Sequence, residues 1–320
     1  MKTRSCTFLL VAVVVGIISP FSHAADDPAK KKERAKGPRP EEDTSTVRAT
    51  RAFDKIVTFK QTPQGELKAH IYYPPGWSAR DQRPAIVFWV GGGFRAGRVG
   101  QFLARSEYFA ARGLVTINAE YRGRESHGIQ IDSCAEDARS AMRWVKGHAA
   151  ELGISADKVI ASGGSAGGCL SLLVARETGP NAKDDNLAFS PRPCAMVLFN
   201  PAVGDRVMEV IGRGGAAQAP VNAQIATLDT PQKNEPPAIL FFGSEDPFLK
   251  VSREYNRKAQ AQGMRCELWV ADKMGHGFFN NQPWHDATTR KVDEFLASLG
   301  YLKGAPTIKD NPAATLTREQ

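Results

Sequence analysis

The 320-residue sequence predicts an α/β domain with a mostly parallel, doubly wound sheet and an antiparallel N-terminal edge. Short, almost continuously apolar runs recur along the chain, as expected of strands that are buried on both faces. Segments with the 3.6-residue periodicity of helices separate these runs, which indicates a parallel sheet covered by helices on both sides. Two segments with alternating apolar and polar residues come first, and they indicate an antiparallel pair at the sheet edge.

The strands are predicted from these patterns in chain order. Half-exposed strands are predicted at residues 53–59 and 67–73. Strands buried on both faces are predicted at residues 85–90, 114–119, 159–161, 195–199, 238–242 and 266–271.

The helices are predicted from apolar residues at helical spacing. A central helix follows from Cys134, Ala138, Ala141, Val145 and Ala149. Ser133 and Glu136 have the spacing of a capping box, so this helix is expected to begin at Ser133. An earlier helix is marked by Phe102, Phe109 and Ala110, and a final helix by Val292, Phe295, Leu296 and Leu299.

The first 24 residues have the features of an export signal. Lys2 and Arg4 precede an apolar run at residues 8–18, and Ser22-His23-Ala24 places small residues at a cleavage site. A membrane anchor is the alternative, but a spanning helix needs about 18 or more apolar residues. We therefore expect a secreted or periplasmic protein with no stable membrane span after removal of the signal.

The chain is expected to have one folded domain at residues 51–303. Residues 25–50 are predicted to be a disordered charged linker, because residues 26–43 contain six basic and six acidic residues and no large apolar side chain. Residues 204–231 are rich in Gly, Ala and Gln and are predicted to form a small lid. Residues 304–320 are expected to be a flexible tail.

The composition limits the class of protein. A hydrophobic content of 42% with 24% charged residues excludes disorder of the whole chain. The net charge of +8 comes without a nucleic-acid-binding signature, so no nucleic acid partner is expected. Four cysteines follow the signal, at Cys134, Cys169, Cys194 and Cys266. They lack metal-ligand spacing, so no metal is expected, and either disulfides or buried free thiols fit them.

Residues 163–167, Gly-Gly-Ser-Ala-Gly, lie between a strand-like segment, KVIAS, and a helix-like segment, CLSLLVA. A strand, a GxSxG sequence and a helix in this order are typical of a nucleophile elbow, whose tight turn exposes the serine hydroxyl above the sheet. Ser165 is therefore the predicted nucleophile. A Gly-rich phosphate loop is the alternative, but no Gly-Lys-Ser or Gly-Lys-Thr follows.

A serine hydroxyl needs a base to take its proton, and the base needs a third group to orient it. Asp246 follows an apolar strand, and His276 lies between two glycines after the next strand. The order Ser, Asp, His along the chain is that of enzymes with a nucleophile elbow. Glu245 is the rival carboxylate, and His127 and His285 are the rival histidines.

Three consecutive glycines at residues 91–93 follow the strand at residues 85–90. Because they lack Cβ atoms, the backbone N–H groups of Gly92 and Gly93 can approach a substrate closely. Together with the N–H group of Ala166, they are predicted to stabilise the negative charge of a tetrahedral intermediate as an oxyanion hole. A flexible turn is the alternative.

These motifs resemble the bacterial esterase/lipase branch of the α/β-hydrolases, related to hormone-sensitive lipase and to acetyl and feruloyl esterases. The resemblance extends from about residue 53 to residue 302 and includes Glu120-Tyr121-Arg122 and the segment DARSAMRWV. It implies an α/β-hydrolase fold, a catalytic triad and an oxyanion hole, formed by Ser165, Asp246 and His276 and by Gly92, Gly93 and Ala166. Val90 stands where the family usually has a histidine that orders the glycine loop.

The sequence therefore predicts an exported serine hydrolase of carboxylic esters that acts through an acyl-enzyme on Ser165 without a cofactor. Export favours a small-molecule or polysaccharide ester, such as an acylated carbohydrate, as substrate. Five aromatic residues are candidates either for an apolar substrate pocket or for core packing: Trp77, Phe94, Phe278, Phe279 and Trp284. A serine exopeptidase of the same fold and an inactive binding protein are the alternative functions.

Overall fold

The computed structural model describes residues 47–95, 97, 99–176, 179–204, 207 and 224–320. The predicted signal, nearly all of the predicted linker and most of the predicted lid lie outside these residues. In the part of the chain that is described, no helix is long and apolar enough to cross a membrane.

Within the described ranges, nine strands form one sheet. They are β1 Lys55–Thr62, β2 Gly65–Tyr72, β3 Arg83–Trp89, β4 Val115–Ala119, β5 Ile154–Gly164, β6 Met196–Phe199, β7 Ala238–Gly243, β8 Cys266–Ala271 and β9 Leu316–Glu319. Their order across the sheet is β1-β2-β4-β3-β5-β6-β7-β8-β9. The six strands from β4 to β8 in this order are parallel, whereas β1, β2 and β9 pair with their neighbours in the antiparallel sense.

Helices cover both faces of the sheet. They are α1 Leu103–Ala111, α2 Arg124–His127, α3 Ile131–Gly147, α4 Ala149–Leu152, α5 Ala166–Ala175, α6 Leu249–Ala261 and α7 Trp284–Ser298. Alternate residues of β3 enter two separate apolar clusters. Val87 and Trp89 pack in the cluster that contains α3, α5 and α6, while Ile86 and Phe88 pack in the cluster that contains α1 and α7. The predicted α/β fold class, with an antiparallel N-terminal edge, is confirmed.

The predicted capping box at the start of α3 is wrong. The helix begins at Ile131, and Gln130 precedes it in an extended conformation with no side-chain cap. Ile131 is completely buried, so the additional turn places an apolar side chain in the core. Glu136 instead accepts hydrogen bonds from Lys60 and Arg122.

The C-terminal residues differ from the flexible tail that the sequence indicates. Leu316–Glu319 forms β9, which pairs with the outer edge of β8. This pairing satisfies backbone groups that an open sheet edge would leave without partners. Glu319 also accepts two hydrogen bonds from the guanidinium group of Arg253 on α6.

Candidate active site

The predicted site residues meet at the end of the sheet where the parallel strands have their carboxyl ends. Ser165 follows β5, Asp246 follows β7 and His276 follows β8, while the glycine run follows β3. Ligand sites of open α/β sheets lie at this end, because the loops that leave neighbouring strands converge there. Residues far apart in sequence are thereby placed side by side.

Ser165 occupies a sharp turn between β5 and α5. Its backbone has φ 50° and ψ −113°, a conformation that costs a non-glycine residue about 1 to 3 kcal/mol. The Ser165 N–H group donates to Phe199 O at 2.9 Å, which fixes the turn against β6. A Cβ atom on Gly163 would lie 2.4 Å from Gly167 C, and one on Gly167 would lie 2.0 Å from Trp89 O. The glycines of the GxSxG sequence are therefore required by close backbone packing.

A chain of hydrogen bonds joins Ser165, His276 and Asp246. Ser165 Oγ lies 2.8 Å from His276 Nε2, and His276 Nδ1 lies 2.8 Å from Asp246 Oδ2. The imidazole side chain is 32% exposed, whereas the Asp246 carboxylate is completely buried. The three hydrogen-bonded side chains thus connect the protein interior to an accessible serine hydroxyl.

The structure distinguishes Asp246 from its neighbour Glu245. Glu245 is exposed, whereas Asp246 is buried in the turn between β7 and α6. Asp246 Oδ1 accepts a hydrogen bond from the backbone N–H group of Phe248 at 2.9 Å, which leaves Oδ2 directed at His276. The carboxylate is held in place by the start of a helix.

The structure also separates His276 from the two rival histidines. His127 Nδ1 accepts a hydrogen bond from Gly123 N at 3.0 Å within the turn that contains α2. His285 lies on α7, with Nδ1 2.9 Å from Asp286 Oδ1. Burial and the positive charge of Arg105 lower the pKa of His285 to about 3. Of the three candidates, His276 is the one that the structure brings to Ser165.

The glycine run lies directly against the serine turn. A Cβ atom on Gly91 would lie 2.9 Å from Gly164 O and 3.2 Å from Ser165 Cβ. Gly92 and Gly93 have φ of 105° and 63°, in the region that favours glycine. Across the described residues, the backbone N–H groups of Gly92, Gly93 and Ala166 have no acceptor, so these donors are available to a ligand.

Asn200 is a site residue that the sequence analysis does not identify. It follows β6, is completely buried and has φ 36°. Its Nδ2 lies 3.1 Å from both ring nitrogens of His276, while its Oδ1 accepts a hydrogen bond from Gly277 N at 3.3 Å. A polar residue at the carboxyl end of a buried parallel strand is the signal that could have pointed to it.

The prediction that Trp77 could line an aromatic substrate pocket is wrong. Trp77 stacks on Tyr73 at a ring-centroid distance of 4.0 Å, and its indole N–H group donates to Leu152 O before the start of β5. Because β2 is antiparallel to its neighbour β4, the loop that follows β2 lies at the amino ends of the parallel strands, whereas Ser165 lies at their carboxyl ends.

The other four aromatic residues lie close to the site in sequence or in space. A Cβ atom on Gly164 would lie 2.7 Å from Phe279 Cζ, so Phe279 packs beneath the serine turn. Phe278 contacts the Trp284 ring edge-to-face at a centroid distance of 5.7 Å. Phe94, in the glycine loop, is completely buried. These contacts are those of packing around the site.

The four cysteines in the described part of the chain are free thiols, and burial raises the pKa of Cys266 to about 12. A thiol with so high a pKa is a poor nucleophile near neutral pH, because the thiolate is the reactive form. No group of three or more metal-ligating side chains occurs among the described residues.

Comparisons with known proteins agree with this fold. The BD-FAE family model matches residues 69–203. Carboxylesterase NlhH of Mycobacterium tuberculosis is 25% identical over 260 residues, which cover 73% of this chain and 78% of that protein. Lipase 2 of Moraxella sp. (strain TA144) is 31% identical over 273 residues, which cover 71% of this chain and 63% of that protein.

Solved structures of esterase 2 from Thermogutta terrifontis are similar in sequence and fold. The apo form has a TM-score of 0.72 and 32% identity, and the match covers 81% of this chain and 100% of that one. The propionate-bound form has a TM-score of 0.70 and 34% identity, and the match covers 78% of this chain and 96% of that one. The fold and the site define an α/β-hydrolase. The chain belongs to the esterase/lipase family of this superfamily, and it is an ester hydrolase.

Proposed function

We propose that this protein is a serine carboxylesterase in which Ser165 forms an acyl-enzyme. The observation that carries the proposal is the continuous chain from Ser165 Oγ through the His276 ring to the buried Asp246 carboxylate, with both contacts at 2.8 Å. An accessible hydroxyl, a base within hydrogen-bond distance and a buried group that orients the base are the parts that nucleophilic acyl transfer needs.

In the first half of the reaction, Ser165 Oγ attacks the ester carbonyl carbon and His276 Nε2 takes the hydroxyl proton. Asp246 keeps the other ring proton on Nδ1 and stabilises the imidazolium ion that forms. The carbonyl oxygen becomes negatively charged and accepts hydrogen bonds from the available N–H groups of Gly92, Gly93 and Ala166. His276 then gives its proton to the leaving alcohol oxygen, and the acyl group remains on Ser165.

In the second half, a water molecule replaces the alcohol. His276 takes a proton from this water as its oxygen attacks the acyl carbon, and the same N–H groups stabilise the second oxyanion. The carboxylic acid leaves when His276 returns the proton to Ser165 Oγ. The cycle is balanced, because one water is consumed and one acid and one alcohol are released.

The substrate class follows from two further considerations. Structures of Thermogutta terrifontis esterase 2 are described with propionate bound and with butyrate bound, which supports a short acyl group for this chain. The predicted export signal supports an extracellular substrate, so we propose acylated carbohydrates, such as acetylated polysaccharides, as the source of the ester. Secretion or periplasmic location is part of this proposal.

A panel of esters tests the proposed function. We expect the purified chain to hydrolyse p-nitrophenyl acetate and butyrate faster than the octanoate, and to release acetate from acetylated xylan. Ser165→Ala should abolish these activities, whereas Ser140→Ala, a change on the remote helix α3, should leave them unchanged. Failure to hydrolyse any of these esters would contradict the proposal. Activity on the p-nitrophenyl esters but not on acetylated xylan would contradict the proposal that acylated carbohydrates are the substrates.

A further inference from the structure

The peptide group between Val90 and Gly91 is held at both of its polar atoms by buried side chains. Tyr121 Oη donates a hydrogen bond to Val90 O at 3.0 Å, and Gly91 N donates to Gln101 Oε1 at 2.7 Å. Tyr121 is 1% exposed and Gln101 is 8% exposed. The two side chains come from different segments, since Tyr121 follows β4 and Gln101 precedes α1.

This peptide directly precedes the N–H groups of Gly92 and Gly93. Gln101 Oε1 would also lie 3.2 Å from a Cβ atom on Gly164, so the Gln101 side chain contacts the serine turn as well as the glycine loop. The loop and the nucleophile are thus fixed relative to each other through one buried amide.

The glycine loop has a particular need for such anchors. Gly92, Gly93 and Phe94 have φ of 105°, 63° and 60°, so three consecutive residues have left-handed backbone. Glycine populates many backbone conformations when it is unrestrained. An oxyanion hole is effective only when its donors are already oriented before charge develops, because reorientation during the reaction costs free energy.

We infer that Gln101 and Tyr121 are positioning residues that clamp the Val90–Gly91 peptide and thereby orient the oxyanion donors. This inference rests on the proposed function, since the clamp acts on the N–H groups that stabilise the tetrahedral intermediate. The clamp stabilises the transition state and contributes little to binding of the uncharged ester, whose carbonyl oxygen interacts only weakly with these donors.

Two conservative substitutions remove one contact each. Gln101→Met keeps the length of the side chain but removes the acceptor, and Tyr121→Phe removes only the hydroxyl group. We expect each change to lower kcat by about 10-fold to 100-fold, the range expected when catalytic groups are misplaced by about 1 Å. KM for p-nitrophenyl butyrate should change less than about twofold, because ground-state binding does not depend on the clamp.

Tyr108→Phe is the matched control. Tyr108 lies on α1, and its hydroxyl group donates a hydrogen bond to the buried Asp293 at 2.6 Å and accepts one from Thr307 N at 3.2 Å, so the change also removes hydroxyl contacts. It should lower the melting temperature and leave kcat unchanged. The double variant of Gln101→Met and Tyr121→Phe should lose little more than the worse single variant, because both side chains hold one peptide group and their effects are coupled.

The inhibition constant of butylboronic acid is a second measurement. Partial unfolding of a variant would lower its activity but would not change this constant. The boronate forms a tetrahedral adduct with the serine, so its inhibition constant should rise in the clamp variants about as much as kcat falls. Lower melting temperatures with kcat and inhibition constant within about twofold of wild type would overturn the inference, as would fully additive losses in the double variant. An inactive wild type would contradict the proposed function, whereas an active wild type with unaffected variants would contradict the clamp alone.

Discussion

His276 Nδ1 lies 2.8 Å from Asp246 Oδ2, and the carboxylate that it faces is completely buried. The backbone N–H group of Phe248 holds the other carboxylate oxygen at 2.9 Å. A carboxylate with no freedom to turn away can keep the ring proton on Nδ1. It therefore leaves Nε2 free to accept the proton of Ser165.

Asp246→Asn should retain the fold but lower kcat by about 10⁴-fold, since the amide no longer selects the reactive tautomer. Glu245→Gln is the matched control. It changes an adjacent but exposed carboxylate, and kcat should not change. Steady-state kinetics with p-nitrophenyl butyrate measures both. Equal losses in the two variants would show that the assignment of Asp246 is wrong.

Asn200→Gly tests the amide that lies against His276. Glycine adopts the φ of 36° at this position without strain, so the change removes the side chain while the backbone conformation is retained. We expect kcat to fall by about tenfold with little change in KM, because the His276 ring loses a contact that fixes its orientation. If kcat stays within about twofold of wild type, Asn200 contributes to packing and not to catalysis.

Val90→His introduces the histidine that the family usually has in the glycine loop. The Val90–Gly91 peptide is already held by Tyr121 and Gln101, so we expect kcat to be preserved or modestly raised. Val90 is half-buried and packs against both apolar clusters. A large loss of kcat together with a lower melting temperature would mean that this packing cannot accept an imidazole.

His285 should make folding stability sensitive to acid. Its pKa falls from the ordinary value of 6.5 to about 3 in the folded protein, mainly because of burial. Between these two values the unfolded chain binds a proton that the folded chain does not, so stability decreases as the pH falls from 6.5 towards 3. His285→Asn should give a shallower decline in melting temperature over this range. A decline as steep as that of wild type would show that other groups cause it.

The arrangement of the site is predictable from the sequence where each residue follows a recognisable buried strand. Ser165, Asp246 and His276 all follow apolar runs within a few residues, and the parallel direction of those strands brings their loops to the same end of the sheet. Asn200 is also a polar residue at the end of such a run, but this signal alone does not distinguish it from an ordinary loop residue. Its contact with His276 depends on how two loops pack, which periodicity does not describe.

Other features depend on long-range order in the sheet. Trp77 follows a strand in the same way as the site residues, yet it lies at the opposite end of the sheet because β2 is antiparallel to β4. The strand β9 is short, polar and half-exposed, and its formation requires the free edge of β8 as a template. Gln101 gains its role from a hydrogen bond to a backbone ten residues away, within a loop that has no regular pattern.

Covalent labelling with a phosphonate ester probe tests whether Ser165 is the nucleophile and His276 its base. The probe, located by mass spectrometry, should modify wild-type protein at Ser165 alone and should not modify Ser165→Ala. Labelling should also be nearly absent in His276→Ala, because the hydroxyl then lacks its base, and should persist in His285→Ala. Modification of a different serine would contradict the assignment of Ser165 as the nucleophile. A His285→Ala variant that fails to react while His276→Ala reacts at the wild-type rate would contradict the assignment of His276 as its base.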